Sequence, residues 1–404
     1  MSGQFQPVAA KFTKDSYIIM EGNPNADRFY IIREGRVQIK READLEKAEE
    51  NMAGPGEMFG IISAMASHGY IESALAMTDV TLLAVEKKQY GDLIRKSPPV
   101  AINTIRQFSQ RLRHLDETLS QRALKSAALD NSSHLFQIGE FYEKIGKSSQ
   151  ALYSYRQYLT YCPNAENADL VRKKIAKMES RAAVVRPTYS PDTMVQTYPK
   201  DCLLFAEGES GHNLYIIQKG SVKITKIVNN QEVVLAVLNK GDIFGEMAML
   251  EDKPRAATAE IYEDSTLLAV NRANFTNLIN EQPEMVVRMT TLMSERIWLL
   301  YRQLANTLIE NPVGRIYDAL LIQLEKDRLD LNSNMPYMCN FGFKELAGMA
   351  GISERESNEL YKEISAAKKI SLNNDKVLVN NVSGVVREAE YHRRAQKMGK
   401  EIKR

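Results

Sequence analysis

The segment YIIREGRVQI (residues 30–39) returns as YIIQKGSVKI (residues 215–224), at an offset of 185 positions. At the same offset, TLLAV at residues 81–85 recurs unchanged at residues 266–270. A match this long without a gap indicates two copies of one domain. Each copy alternates short apolar, β-branched runs with glycine-containing turns, a pattern that predicts a small antiparallel β-roll.

A long amphipathic helix is predicted after each copy, beginning at Pro98 and at Pro283, because proline suits the first turn of a helix. Apolar residues stand three and four positions apart along each helix. They are Ile105, Phe108, Leu112, Leu115 and Leu119 in the first helix, and Met289, Met293, Ile297, Leu300, Leu304 and Leu308 in the second. Two interpretations follow. The stripe is ordinary core, or it is a seam that pairs two subunits in a homodimer.

Composition limits the partners that can be inferred. The 404 residues suffice for roughly two to four domains. With 53 basic and 51 acidic side chains, the formal charge of +2 gives no whole-protein argument for binding nucleic acid or membranes. Cys162, Cys202 and Cys339 are too widely spaced for a disulfide framework or a metal cluster. Since neither a signal-peptide pattern nor an apolar run of about 18 residues is present, a cytoplasmic protein without membrane contact is expected.

The second copy contains the stretch FGEMAMLEDKPRAAT (residues 244–258), whose residue types suit a phosphate ester. Gly245 lets the backbone approach a ligand closely. The amides that open the following short helix, at Met247 and Ala248, point outward as donors for an anion. Arg255 supplies a planar, always charged fork for a phosphodiester. The alternative interpretation is that Glu246 and Arg255 form a surface ion pair beside a turn.

This stretch resembles the phosphate-binding cassette of cyclic-nucleotide-binding domains, the family of the catabolite activator protein and of the regulatory subunits of cyclic-AMP-dependent kinase. The resemblance implies that Arg255 holds the cyclic phosphate and that Glu246, which only accepts hydrogen bonds, holds the ribose 2′-hydroxyl. Ala256 stands where cyclic-GMP-selective relatives tend to carry a hydroxyl, so cyclic AMP is favoured, with other cyclic nucleotides left open.

By position on the last helix, Leu300 and Tyr301 resemble the residues that cover the base, with plain packing as the alternative. The complete predicted ligand set is Gly245, Glu246, Met247, Ala248, Arg255, Ala256, Ala257, Leu300 and Tyr301. No cofactor other than this regulatory ligand is expected.

The same site is degenerate in the first copy. At the fixed offset, Ile61 replaces Glu246 and Tyr70 replaces Arg255. Glu72 adds a carboxylate where the second copy has Ala257. Loss of two charge-assisted hydrogen bonds, at about 1.5 to 3 kcal/mol each, predicts that this copy holds no cyclic nucleotide and acts in structure or interaction.

The segment between the copies, residues 132–165, resembles one tetratricopeptide repeat, with small residues where two helices cross and aromatic residues around them. The positions that carry the resemblance are Leu135, Ile138, Gly139, Tyr142, Ala151, Tyr155 and Pro163. One repeat cannot bury its own apolar face. It must therefore pack on the helix after the first copy, on the helical continuation at residues 169–180, or on a partner. The predicted role is a spacer, with a peptide-binding groove as the alternative.

Two segments near the carboxyl terminus predict a winged helix. KELAGMAGISERESNELYKEI (residues 344–364) has the rhythm of a helix-turn-helix, and KKISLNNDKVLVNN (residues 368–381) reads as a hairpin, the wing. From residue 198 to about residue 382, the order of barrel, long helix and winged helix resembles transcription regulators of the catabolite activator and fumarate-nitrate regulator family. The resemblance implies DNA binding.

The net negative charge of this region argues against the DNA binding that the resemblance implies. Between residues 310 and 382, eleven acidic side chains face nine basic ones. Glu354 and Glu359 stand where family members usually carry arginine. A negative domain is a poor electrostatic footprint for a polyanion. The tail at residues 383–404 has seven basic and three acidic residues, and is either a solvated helix or a contact to the DNA backbone.

If DNA is bound, Arg355 and Asn358 are the predicted base contacts, because arginine pairs with guanine and asparagine with adenine in the major groove. The predicted phosphate contacts are Lys362, Lys368, Lys369 and Lys376.

These inferences predict an α+β chain with two β-rolls, a helical spacer and a winged helix. The expected divisions are residues 1–128, 129–181, a linker at 182–192, 193–309, 310–382 and a basic tail at 383–404. The favoured function is a cyclic-AMP-responsive transcription regulator that holds ligand in its second copy only. The alternative is a cyclic-nucleotide-sensing interaction protein that contacts protein partners through its first copy or its spacer. No arrangement of the five histidines indicates an enzyme.

Overall fold

The computed structural model describes residues 7–42, 51–124, 131–179, 194–228, 231–352, 354–374 and 376–402. The chain divides into two compact units. One contains Met1–Asp92, Leu115–Ala123 and Ser294–Arg404. The other contains Leu93–His114 and Leu124–Met293. The predicted linker at residues 182–192 lies outside the described residues, as does the predicted boundary at residue 128.

The first copy folds into the first β domain, residues 8–86, followed by helices. Its elements are β1 (Val8–Phe12), β2 (Tyr17–Ile19), β3 (Arg28–Glu34), β4 (Val37–Lys40), β5 (Met52–Ala53), β6 (Met58–Phe59), α1 (Ile61–Ala66), β7 (Ser73–Ala76), β8 (Val80–Glu86), α2 (Tyr90–Lys96) and α3 (Pro98–Leu124). Two antiparallel sheets form, in the orders β1-β8-β3-β6 and β2-β7-β4-β5. Their shared core includes Ile32, Val37 and Leu82, all at most 1% exposed.

Three helices follow: α4 (Asn131–Lys144), α5 (Ser148–Tyr161) and α6 (Ala168–Glu179). We call them the helical spacer. Its core contains Ile138, Tyr155 and Val171 from the three helices, together with Leu203 and Ala206 of the following domain. The predicted packing on the helical continuation is present as α6. The sequence did not predict that the spacer also packs on the second copy. Leu203 and Ala206 make this contact, and no repeating apolar pattern in the sequence marks them as an outward-facing surface.

The second β domain, residues 195–271, repeats the first. Its elements are β9 (Val195–Tyr198), β10 (Leu203–Phe205), β11 (Asn213–Val228), β12 (Gln231–Leu238), β13 (Ile243–Phe244), α7 (Glu246–Glu251), β14 (Thr258–Asn271), α8 (Arg272–Glu281) and α9 (Pro283–Thr307). Strands β11 and β14 each run through where the first domain has two shorter strands, and their pairing shifts register between Ile217 and Val222. Alternating side chains enter one core, which confirms antiparallel β-sheet domains in both copies.

The apolar stripe of α9 is buried in the single chain. Met289, Met293, Ile297 and Leu304 are each at most 4% exposed, whereas Leu300 is half-buried. This burial favours the interpretation of the stripe as core. The homodimer stays a prediction.

The C-terminal region, residues 312–402, contains α10 (Pro312–Lys326), β15 (Tyr337–Met338), α11 (Phe343–Met349), α12 (Glu354–Ala366), β16 (Ile370–Asn373), β17 (Lys376–Val379) and α13 (Val382–Ile402). The strands form one antiparallel sheet in the order β15-β17-β16. Leu320, Leu346, Ile364, Val377 and Val385 meet in its core, each at most 1% exposed.

Cys162, Cys202 and Cys339 are free thiols. Across the described residues, no helix has the length and apolar character needed to cross a bilayer. Within the same residues, no group of three or more histidine, cysteine or acidic side chains is arranged to hold a metal ion.

Candidate functional site

Arg255 is the centre of the candidate site in the second β domain. Its side chain is buried, at 5% exposure for the residue. Nη1 donates to the carbonyl of Gly245 at 2.6 Å, and Nη2 donates to the carbonyl of Asn213 at 2.9 Å. The guanidinium carbon lies 4.1 Å from the centroid of the Phe205 ring. Nε is buried and has no hydrogen-bond partner. A buried cation with an unused donor is an arrangement that an anion would complete.

The backbone around Arg255 is shaped for close approach. Gly245 has φ +75° and precedes α7, a conformation that favours glycine. A Cβ atom at Gly211 would lie 2.5 Å from Arg255 Nε and 2.6 Å from the Cβ of Ala248. Any side chain at Gly211 would therefore fill the space beside the unused donor.

The other predicted residues of the cassette lie at the start of α7 and directly after Arg255. Glu246 is 2% exposed, and Met247 and Ala248 are buried with it at the start of α7. Ala256 and Ala257 are half-buried and follow Arg255 directly. Both Glu246 and Arg255 are buried, so neither side chain lies on the surface. Contact of these residues with a nucleotide stays a prediction.

Burial and neighbouring groups shift the pKa of Arg255 in opposite directions. Burial lowers the pKa of Arg255, while Tyr215, Glu209 and Glu246 act in the opposite direction. The guanidinium remains charged, because arginine holds its proton throughout the working pH range of proteins.

Glu209 is a site residue that sequence reasoning missed. Burial raises its pKa to about 7. Its Oε1 accepts from the amide of Ala206 at 2.8 Å, and its Oε2 accepts from the hydroxyl of Tyr153 in the helical spacer at 3.1 Å. Its carbonyl accepts from the amide of Arg255 at 2.7 Å. The matching residue of the first copy is Asn23, whose carbonyl accepts from the amide of Tyr70 as that of Glu209 accepts from Arg255, so an acid present only beside the arginine-bearing cassette was the available signal.

The predicted base-covering residues Leu300 and Tyr301 lie on α9. Tyr301 is 5% exposed, and its ring centroid lies 5.4 Å from the guanidinium carbon of Arg41 in the first β domain. Leu300 is half-buried. The observed contact of Tyr301 is thus with the first copy, and a role over a base in the second copy stays a prediction.

In the first copy, Tyr70 and Glu72 form hydrogen bonds within the same domain. The Tyr70 hydroxyl donates to the carbonyl of Arg28 at 2.6 Å. Arg28 is the residue that matches Asn213 at the offset of 185. Tyr70 therefore makes the structural bond that Arg255 makes in the second copy. Glu72 Oε1 accepts from the Gly60 amide at 2.5 Å, and its Oε2 accepts from Arg41 Nη2 at 2.6 Å. The first cassette holds an internal carboxylate.

The predicted DNA contacts lie on α12 and the β16–β17 hairpin. Asn358 and Lys362 are exposed on α12, and Lys368 and Lys376 are exposed beside the hairpin. Lys369 instead forms an ion pair with Glu388 of α13. The side chain of Arg355 lies outside the described residues.

The outer face of α12 is acidic. Ser357 and Ile364 are buried, which turns the opposite face outward. The exposed face carries Glu356, Asn358, Glu359, Lys362 and Glu363. Among the described side chains of this face, three carboxylates stand against one ammonium, a charge that would repel a DNA backbone.

Comparison with known proteins identifies the domain in both copies. The sequence profile of the cyclic nucleotide-binding domain matches residues 9–97 and residues 195–282. The second match contains the buried Arg255 and Glu246 described above.

Three relatives match different lengths of the chain. The cyclic AMP receptor protein of Thermus thermophilus is 30% identical over 157 residues, which are 39% of this chain and 69% of that protein. A CRP-like cAMP-activated global transcriptional regulator of Mycobacterium tuberculosis is 24% identical over 193 residues, 48% of this chain and 86% of that protein. The cAMP-dependent protein kinase regulatory subunit of Candida albicans is 24% identical over 275 residues, 68% of this chain and 44% of that protein.

Proposed function

Because this chain belongs to the catabolite activator and fumarate-nitrate regulator family of cyclic-nucleotide-binding proteins, we propose that its second β domain binds cyclic AMP. The observation that carries the proposal is the buried guanidinium of Arg255, whose Nε has no hydrogen-bond partner. A cyclic phosphate would supply both the negative charge and the missing acceptor. Glu246, buried beside it, would accept from a ribose hydroxyl. The proposed role is regulatory, with no catalytic step.

Calorimetric titration of the full chain with cyclic AMP tests this site. Arg255→Ala is expected to weaken binding by about one to two orders of magnitude, since a charged hydrogen bond contributes about 1.5 to 3 kcal/mol. Lys219→Ala is the matched control, because Lys219 is an exposed cation of the same β domain outside the cassette. Cyclic GMP and a cyclic dinucleotide belong in the same titration. Unchanged affinity in Arg255→Ala would show that the site is wrong.

The proposed output is DNA binding in the cytoplasm by the C-terminal region, controlled through α9. Helix α11, the turn at Gly351, helix α12 and the β16–β17 hairpin follow one another as in a winged helix. Arg355 and Asn358 would read base edges, and Lys362, Lys368 and Lys376 would contact phosphates. Ligand would act by shifting a pre-existing equilibrium between orientations of this region.

Gel shift on genomic fragments, with and without cyclic AMP, tests this output. A salt-sensitive, sequence-specific complex that Asn358→Ala weakens is the expected result. A matched control is Asn332→Ala, an asparagine of the same region outside α12 and the hairpin. The absence of any such complex would favour the second candidate.

The second candidate is a cyclic-nucleotide-sensing protein that binds other proteins. The acidic outward face of α12 favours it, because a basic protein surface tolerates carboxylates that DNA would repel. Under this candidate, the internally filled first β domain and the helical spacer act as interaction modules. Glu359→Gln together with Glu363→Gln would then weaken the protein complex and leave cyclic AMP affinity unchanged.

A further inference from the structure

Helix α3, which follows the first β domain, contacts the cassette of the second. Arg113 Nε donates to Glu251 Oε2 at 2.9 Å, and Arg113 Nη1 donates to the carbonyl of Pro254 at 3.1 Å. One turn earlier, Ser109 Oγ donates to Glu251 Oε1 at 2.8 Å. The side chains of Arg113 and Glu251 are 9% and 2% exposed, so this ion pair is buried.

These bonds hold both ends of the short turn that leads to Arg255. Glu251 is the last residue of α7, and Pro254 immediately precedes Arg255. Between them, Asp252 adopts a left-handed conformation with φ +57°. Because a buried ion pair is costly to break when only one partner is removed, the Arg113–Glu251 pair resists movement of this turn.

The first copy makes the same contact with a different side chain. At the offset of 185, Arg113 corresponds to Trp298 of α9, and Pro254 corresponds to Gly69. Trp298 Nε1 donates to the carbonyl of Gly69 at 3.3 Å. The same helix position therefore bonds the same cassette carbonyl in both cases, each time in the opposite copy. Because two chemically unlike side chains make this contact, we infer that the carbonyl serves in both copies as the attachment point of a helix.

We propose that Arg113 is a positioning residue for Arg255, so that helix α3 sets the affinity of the second β domain for cyclic nucleotide. This inference rests on the proposed function of that domain. Arg113 acts by fixing the Glu251–Pro254 turn, and Ser109 supports it through Glu251. The helix that begins directly after α2 of the first copy thus completes the ligand site of the second.

Titration of the full chain with two ligands tests this role: cyclic AMP, and its uncharged methyl phosphotriester. Arg113→Ala is expected to weaken binding of cyclic AMP about tenfold. Affinity for the triester should change less than about twofold. Displacement of Arg255 weakens its electrostatic attraction to a charged phosphate far more than its interaction with an uncharged ester. A general loss of structure would lower both affinities alike. Arg106→Ala, an exposed arginine on the same helix, is the matched control.

The milder variant Ser109→Ala covers the case in which Arg113→Ala fails to fold, and it should lower cyclic AMP affinity in the same selective manner. Equal loss for both ligands, or no loss, would overturn the positioning role while leaving the proposed function intact. Failure of the wild-type chain to bind cyclic AMP would overturn both.

Discussion

The ring of His68 lies flat against the ring of Trp298, with centroids 4.0 Å apart and an interplanar angle of 19°. His68 belongs to the turn after α1 in the first β domain, and Trp298 belongs to α9. Burial, together with the positive charges of Arg328, Arg302 and Lys87, lowers the pKa of His68 to about 4. His68 is therefore a neutral stacking partner at pH 7.

The stack makes stability depend on pH in a defined window. The unfolded chain binds a proton on His68 near pH 6.5, whereas the folded chain binds it only near pH 4. As pH falls between these values, the unfolded state binds more protons and the free energy of unfolding decreases. Because Trp298 is the single tryptophan, its fluorescence during thermal unfolding reports the effect directly. His68→Phe should flatten the dependence between pH 6.5 and 4, and an unchanged slope would exclude His68 as the titrating group.

Removal of the internal carboxylate should destabilise the first β domain. The Arg41 and Glu72 side chains are 6% and 4% exposed. Glu72→Ala removes the carboxylate of a buried ion pair, with an expected loss of about 3 to 5 kcal/mol in the free energy of unfolding. Urea unfolding measures this loss. Glu117→Gln, at an exposed position, should be neutral. The double change Arg41→Leu with Glu72→Leu should recover much of the loss, and failure to do so would argue against the ion pair as its cause.

Glu209 predicts a second pH effect of opposite sign. Its pKa is about 7 in the folded chain against 4.5 in a free chain. The folded state thus binds more protons on Glu209 between these values, so the contribution of Glu209 to the free energy of unfolding decreases as pH rises from 4.5 to 7, by about 3 kcal/mol. Glu209→Gln should remove this decrease, as measured by urea unfolding across the range. The control Asp252→Asn changes an exposed acid and should keep it. A decrease that persists in Glu209→Gln would assign it to another group.

Two glycine substitutions should act in opposite directions. A Cβ at Gly139 in α4 would lie 2.5 Å from the Tyr155 ring, so Gly139→Ala should lower stability by about 1 to 3 kcal/mol through overpacking. At Gly348 in α11, no atom lies within 4 Å of the added Cβ. Gly348→Ala should therefore raise stability by about 0.5 to 1 kcal/mol. Midpoints of thermal unfolding test the pair, and equal shifts for both would contradict the packing at Tyr155.

The repeat and the cassette were readable from sequence because each rests on local pattern. Period-two alternation predicts strands, and Gly245, Glu246 and Arg255 stand at fixed spacing in one segment. The structure brings these three together as that spacing predicts.

The interactions that sequence could not provide are those between distant segments. Nothing in the local pattern links Tyr153 to Glu209 or Arg113 to Pro254, which meet only after the chain has folded. The prediction for Tyr301 followed position along a helix, whereas its contact with Arg41 depends on the packing of the folded chain. Burial decides the pKa of Glu209 for the same reason, since burial is a property of the folded chain.

The carboxylate of Glu72 has a consequence for how the two copies respond to heat. A domain that binds a metabolite gains stability as the concentration of that metabolite rises. The first cassette carries its acid on its own chain, so we expect its stability to be independent of cyclic AMP, and added cyclic AMP should raise the melting temperature of the second β domain alone. One copy would serve as a fixed reference and the other as a variable element, built from the same fold.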